Sequence, residues 1–294
     1  MKKHTFILFL IISQLIIAQN KLPFKLIKDW ELKGLQNPES VVLDTKNKVL
    51  YISNVNGKAT DKDANGYISK VSLNGKMLEQ KWIIGLNAPK GLVIYKDKLY
   101  TTDIDEIVEI NIKTKQQLKI KANGATFLND ITADKKGNIY ASNTFGFSAI
   151  YKLSSKNPKT VKLFIKDEKL QMPNGLHISK NNLFVAGWGK DFNSKTYETK
   201  ILGSLLKINL KSKKIETVSI PTGNLDGLSQ TIHGFLLTDW LAGKLHYYSN
   251  KTSVVTNVLN LPKGSADTYF DKKTKAVFIP LMLDNKLLKY HFIK

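Results

Sequence analysis

Apolar and polar residues alternate in short runs along almost the whole chain, and helical periodicity is nearly absent. Asn-Gly, Asp-Gly and Lys/Asn pairs separate the runs, as turns do between strands. Many short strands at even spacing predict an all-β sandwich, barrel or propeller.

The runs repeat, and the repeat decides among these architectures. One segment type occurs six times. Its copies begin at Glu39, Lys90, Asn129, Asn174, Asp226 and Ala266. Each continues into an apolar alternation, as in Glu39-Ser40-Val41-Val42-Leu43 and Asn174-Gly175-Leu176-His177-Ile178. The intervals are 51, 39, 45, 52 and 40 residues, which suits one four-stranded propeller blade per copy. Second strands follow in register (Val49–Ser53, Lys98–Thr102, Asn138–Ser142, Asn182–Ala186, Gly234–Thr238, Lys275–Ile279). Third strands share an apolar-plus-Lys pattern, as in Ile68-Ser69-Lys70-Val71 and Leu287-Leu288-Lys289-Tyr290. The sixth copy ends without a fourth strand, and one strand, Phe24–Lys28, is spare at the front. The pattern therefore predicts a six-bladed β-propeller whose ring is closed by an N-terminal strand in the last blade. It is one domain spanning 20–294.

Composition narrows the function classes. The chain has 294 residues, 42% hydrophobic and 23% charged, an ordinary globular balance. With 0 Cys there is no disulfide, thiolate metal site or Cys nucleophile. Met1-Lys2-Lys3, an apolar run from Phe6 to Ile17 and Ala18 read as a signal peptide over 1–19. The expected location is secreted or periplasmic, with an uncleaved N-terminal anchor as the other reading. No further stretch is long enough for a membrane span. The net charge of +21 raises nucleic acid as a partner. However, all 45 basic residues are Lys, spread along the chain, and Arg is absent. Arg carries the bidentate contacts that nucleic-acid readers favour, so no specific nucleic-acid partner is expected. A closed ring needs no second copy, and a monomer acting on a small molecule is expected.

Innermost strands of a propeller flank the central channel, so equivalent positions form a ring. Here the ring is Glu39, Lys90, Asn129, Asn174, Asp226 and Ala266. Glu39, Asn129, Asn174 and Asp226 offer two carboxylates and two amide oxygens. Oxygen-only ligation suits a hard divalent cation, calcium first, with magnesium, manganese or zinc as alternatives. The competing reading is that Asn174-Gly175 and Asp226-Gly227 are hairpin turns, as Asn56-Gly57, Asn65-Gly66, Asn74-Gly75 and Asn123-Gly124 are expected to be.

Pro38-Glu39-Ser40-Val41, Leu128-Asn129-Asp130, Pro173-Asn174-Gly175-Leu176 and Asp226-Gly227-Leu228 resemble the metal-site motifs of the senescence marker protein/gluconolactonase/luciferin-regenerating enzyme family. The resemblance runs over essentially the whole mature chain. It implies a six-bladed propeller that hydrolyses a lactone or related ester with a bound calcium. It also implies Glu39, Asn174 and Asp226 as ligands, and Asn129 as a fourth ligand or substrate contact. Asp226 would double as general base or nucleophile. Asp130 and Asp103 are candidates for a supporting or base role, Asp103 also for substrate contact. Lys90 departs from the family pattern. It is a candidate catalytic residue that either pairs with Glu39 or Asp226 or holds a substrate carboxylate. The Arg residues that help bind sugar lactones in some members have no counterpart. His177, His233, His246 and His291 match no catalytic pair and are expected to pack or face solvent. Trp188, Phe192 and Tyr197 lie in an insertion over 187–203 that is expected to cap one mouth, Trp188 as a substrate contact. The alternative function is a non-catalytic propeller that binds a small ligand or protein partner.

Overall fold

A computed structural model describes Leu22 and residues 24–293. The signal-peptide segment 1–19 lies outside the described residues. Six four-stranded antiparallel sheets account for nearly all the regular structure. Their innermost strands are Pro38–Asp44, Pro89–Tyr95, Leu128–Ala133, Pro173–Ser179, Leu225–Gln230 and Tyr269–Asp271. Each touches the next in that order, and the last returns to the first. The ring of six blades is thereby closed. Among the described residues no helix is long and apolar enough to cross a membrane. The one helical element among the described residues is a 3-10 turn, Glu168–Leu170.

Closure is as the spare strand requires, over a longer span than the sequence pattern marked out. Lys25–Lys33 pairs antiparallel with Lys286–Ile293, from Lys25 opposite Ile293 to Lys33 opposite Lys286. It is the outer strand of the sixth sheet.

Packing explains the hydrophobic pattern. Second strands lie between two neighbouring blades and bury both faces, so Val49–Asn54 and Gly234–Asp239 are buried at every position. Outer strands face water on one side, and Gln117–Lys121 buries only Ile120. Apolar side chains of adjacent sheets interlock between blades. Tyr51 of the first, stacked 4.2 Å from Trp82, packs with Leu99 and Val108 of the second.

A shared irregularity positions the ring. In the first five blades the innermost strand slips register against its neighbour at the same place: between Pro38 and Val41, Pro89 and Leu92, Leu128 and Ile131, Pro173 and Leu176, and Leu225 and Leu228. The two residues inside each bulge leave the ladder, as bulged residues do. The first of each pair is the ring residue.

The second residue of the pair meets the next blade. An added Cβ at Gly91 would lie 2.6 Å from the Asp130 Cα, at Gly175 2.3 Å from the Asp226 carbonyl oxygen, and at Gly227 2.5 Å from the Thr268 nitrogen. These three glycines do not have positive φ, unlike Gly57, Gly75 and Gly124. Asn174-Gly175 and Asp226-Gly227 are therefore not hairpin turns. The glycine is there because neighbouring backbone leaves no room for a side chain. Asn65-Gly66 is not a hairpin turn either, since Gly66 opens the strand Gly66–Ser72 without positive φ.

Candidate metal centre

Glu39, Asn129, Asn174 and Asp226 converge from four blades on the floor of one cavity of about 230 Å³. None is more than 5% exposed. Glu39 Oε2, Asn129 Oδ1, Asn174 Oδ1 and Asp226 Oδ1 are buried without any hydrogen-bond partner. Unpaired buried polar atoms are rare and costly in native proteins. Here all four belong to one ring, while the backbone around them is satisfied. The Ser40 and Gly227 amides donate to the hydroxyls of Ser53 (2.9 Å) and Thr238 (2.7 Å). Tyr67 Oη, Thr231 Oγ1 and His246 Nε2 are also buried without a partner, but none of them lines this cavity, whereas all four ring oxygens belong to side chains that do.

The electrostatics point the same way. Burial, then the nearby Asp226, Asp267 and Asp130, hold the Glu39 carboxyl well above the usual carboxylate range. Burial, then Asp267 and Asp239, do the same to Asp226. Buried carboxylates disfavour one another's charge, and at Glu39 the nearby Lys90 ammonium offsets this only in part. A donor set of two carboxylate and two amide oxygens fits a hard divalent cation. No group of three or more His, Asp or Glu side chains forms a metal cluster among the described residues. The amides are therefore essential to this donor set. Ala266, the sixth ring member, offers no side-chain oxygen.

Lys90 lines the same cavity but pairs with neither carboxylate. Its ammonium donates to the carbonyls of Ala59 (3.0 Å) and Ala88 (3.1 Å) and lies 4.4 Å from the centre of the Phe127 ring. No carboxylate among the described residues is within salt-bridge distance of it. Burial lowers it to about 8, although Glu39 and Asp103 pull the other way. The two carbonyls hold the side chain to the cavity wall and away from the four oxygens, so the expected pairing with Glu39 or Asp226 does not form.

Asp103 and Asp130 are not at the cavity. Asp103 accepts the Asn87 amide at 2.9 Å and the Ala88 amide at 2.7 Å. It thereby braces the chain entering its own blade, away from the substrate role expected of it. Asn54 and Asn143 hold the corresponding amides of Gln36 (3.0 Å) and Phe127 (2.9 Å). The recurring Ser53-Asn54, Thr102-Asp103, Ser142-Asn143 and Thr238-Asp239 pairs are the sequence signal for this device, one turn away from the ring positions. Asp130 accepts the amides of Ile131 (2.6 Å) and Leu176, so it ties the third blade to the fourth. Asp267 accepts the Ser40 hydroxyl at 2.7 Å and ties the sixth blade to the first. Asp130, Asp267 and His177 line a separate cavity of about 360 Å³. His177 and His246 are each lowered to about 4, mainly by burial. His291 pairs with Asp29 on the outer strand.

The insertion of the fourth blade caps the mouth. Gly189–Phe192 pairs with Thr199–Leu202 as a two-stranded hairpin. Trp188, just before it, is 3% exposed, and its indole N–H donates to the Tyr197 carbonyl at 2.9 Å. Trp188 and Tyr197 both line the cavity with Phe127, Phe145, Trp240 and Met282. Phe192 instead stacks on Phe145 at 4.9 Å. Phe145, Phe127, Trp240 and Met282 come from other blades, and nothing in the sequence pattern marked them.

No protein-family model matches the chain, and no curated protein matches it by sequence. Solved structures do match by shape. A proposed gluconolactonase superposes with a TM-score of 0.66 at 12% identity, covering 92% of this chain and 92% of its own. Virginiamycin B lyase from Staphylococcus aureus superposes with a TM-score of 0.62 at 17% identity, covering 92% of this chain and 100% of its own. A streptogramin B lyase gives 0.59 at 14% identity, with 92% and 98% covered. At these identities the likeness is one of fold alone.

Proposed function

We propose that this protein is an exported, divalent-metal-dependent hydrolase that opens a lactone or related ester at the floor of the cavity, with calcium as the first choice of metal. The observation that carries the reading is the set of four buried, unpartnered oxygens on Glu39, Asn129, Asn174 and Asp226. The names of the matched structures, a proposed gluconolactonase and two lyases, support an enzymatic propeller.

When bound, a divalent cation would polarise the carbonyl oxygen of the scissile ester. Glu39 and Asp226 supply the charge that holds it, and Asn129 and Asn174 supply neutral oxygens. Asp226 is also the base. Its carboxylate takes a proton from water as the water oxygen bonds to the acyl carbon, and returns that proton to the departing alkoxide as the acyl C–O bond breaks. Lys90 steadies the wall and leaves the ring anionic. The aromatic cap excludes bulk water.

The test is metal content after dialysis against trace calcium, followed by lactone turnover with and without EDTA. About one calcium per chain, lost in Glu39→Ala and Asp226→Ala while the circular-dichroism spectrum is unchanged, is expected. A wild-type protein that binds no divalent metal refutes the mechanism and favours a non-catalytic binding propeller. Turnover in ¹⁸O-water separates hydrolysis, which labels the acid product, from the elimination that the lyase names raise as the other outcome.

A further inference from the structure

We infer that the cavity takes a lactone or ester bearing an apolar alkyl or aryl group, rather than a polyhydroxylated one. The bond that breaks rests on the hydrolase reading. The class of group beside it rests on the wall of the cavity alone.

Above the four ring side chains, the wall contains no carboxylate, amide or guanidinium group. It is a continuous aromatic arc drawn from three blades. Phe145 meets Phe127 edge-on at 4.8 Å, stacks on Phe192 at 4.9 Å and meets Trp188 and Tyr197 at 5.8 and 5.9 Å. Trp188 extends the arc to Trp240 at 6.2 Å. The wall's polar groups are the Lys90 ammonium, the Tyr197 hydroxyl and the indole N–H groups of Trp188 and Trp240, and two of the four are committed. The Trp188 N–H serves the Tyr197 carbonyl, and Lys90 serves two backbone carbonyls. A sugar lactone would bring several hydroxyls into this space and leave most of them unpaired, each at a desolvation cost. An alkyl or aryl group loses nothing there and gains from burial. The volume of about 230 Å³ is below the roughly 300–1,000 Å³ of clefts for drug-sized ligands, so the group is small.

The experiment uses calcium-loaded protein, γ-lactones with tails of one to six carbons, and D-glucono-1,5-lactone. Uncleavable γ-lactams with the same tails report binding by calorimetry. kcat/KM is expected to rise by about fourfold per buried methylene until the cavity is full. The sugar lactone should fall at least ~100-fold below the best substrate. Phe145→Ala, on the rim, and Tyr197→Ser, on the exposed hairpin, should flatten that rise through KM and leave calcium affinity unchanged. Having both variants guards against misfolding of either one.

Equal or better turnover of the sugar lactone would overturn the inference and leave the hydrolase reading standing. If no lactone is turned over but lactam binding tightens with tail length and Phe145→Ala abolishes the trend, the hydrolase reading fails and the apolar ligand class stands. Lactam binding independent of tail length would overturn the inference outright.

Discussion

Replacing Asp226 with Asn should stabilise the metal-free protein and forfeit most of the stabilisation that calcium gives. In EDTA the wild-type chain must bury a carboxylate with no partner, beside Glu39 and Asp267. An amide of the same shape still lacks a partner but carries no charge to desolvate, and the saving in burial cost is about 1–3 kcal/mol. For a domain of this size about 1 kcal/mol corresponds to about 2 °C in Tm. Asp226→Asn should therefore melt about 2–6 °C above wild type in EDTA. Calcium offsets about 2.3 kcal/mol of that advantage. At a free concentration of 100 Kd it stabilises wild type by about 2.7 kcal/mol, or about 5 °C. A variant that binds ~100-fold more weakly gains only about 0.4 kcal/mol at the same concentration. The assay is thermal unfolding by circular dichroism at pH 7.5, four curves on one instrument. Equal calcium increments for both proteins would show that Asp226 is not a ligand. A variant markedly less stable than wild type in EDTA would show that the carboxylate has a stabilising partner, and would refute the electrostatic argument.

Three further outcomes follow from other parts of the fold. Gly175→Ala places a Cβ 2.3 Å from the Asp226 carbonyl oxygen. It should cost about 1–3 kcal/mol in urea unfolding and weaken calcium binding, because the strand it displaces carries a ligand. Asp103→Ala strips the acceptor from two loop amides. It should cost about 1–3 kcal/mol per amide with the KM of any substrate unchanged; a shift in KM alone would restore Asp103 to the site. His246, buried with an unpartnered Nε2 and lowered to about 4, titrates near 6.5 when unfolded. The unfolded chain thus binds the proton first, and stability falls as pH drops from about 6.5 towards 4. His246→Leu should remove up to about 3 kcal/mol of that acid loss, read from urea midpoints at pH 7 and 4.5; an unchanged slope would clear His246 of the effect.

Much of this protein was legible from one strand repeat. Six in-register copies and a spare front strand specified the blade count and the closing strand, because a propeller sheet repeats both its length and its face pattern. The positions that became the ring were legible for the same reason, since equivalent residues of repeated strands must meet at the axis. What those residues do once there was decided by tertiary contacts. Lys90 entered the ring by sequence, yet the Ala59 and Ala88 carbonyls hold it to the wall. Asp103 stood at a strand end like a site residue, yet its carboxylate faces backbone amides of the preceding loop. Gly175 and Gly227 read equally well as turns until neighbouring strands proved to run within 2.3–2.5 Å of their missing Cβ atoms. Only Trp188 and Tyr197 of the aromatic wall were legible, as part of the insertion; Phe127, Phe145 and Trp240 are spread over more than one hundred residues and meet them only when three blades close around the axis. Periodicity in a single chain encodes which residues share a strand face. Which side chains from different blades face one another, and which polar atoms are left without partners, depends on the angles at which the sheets pack.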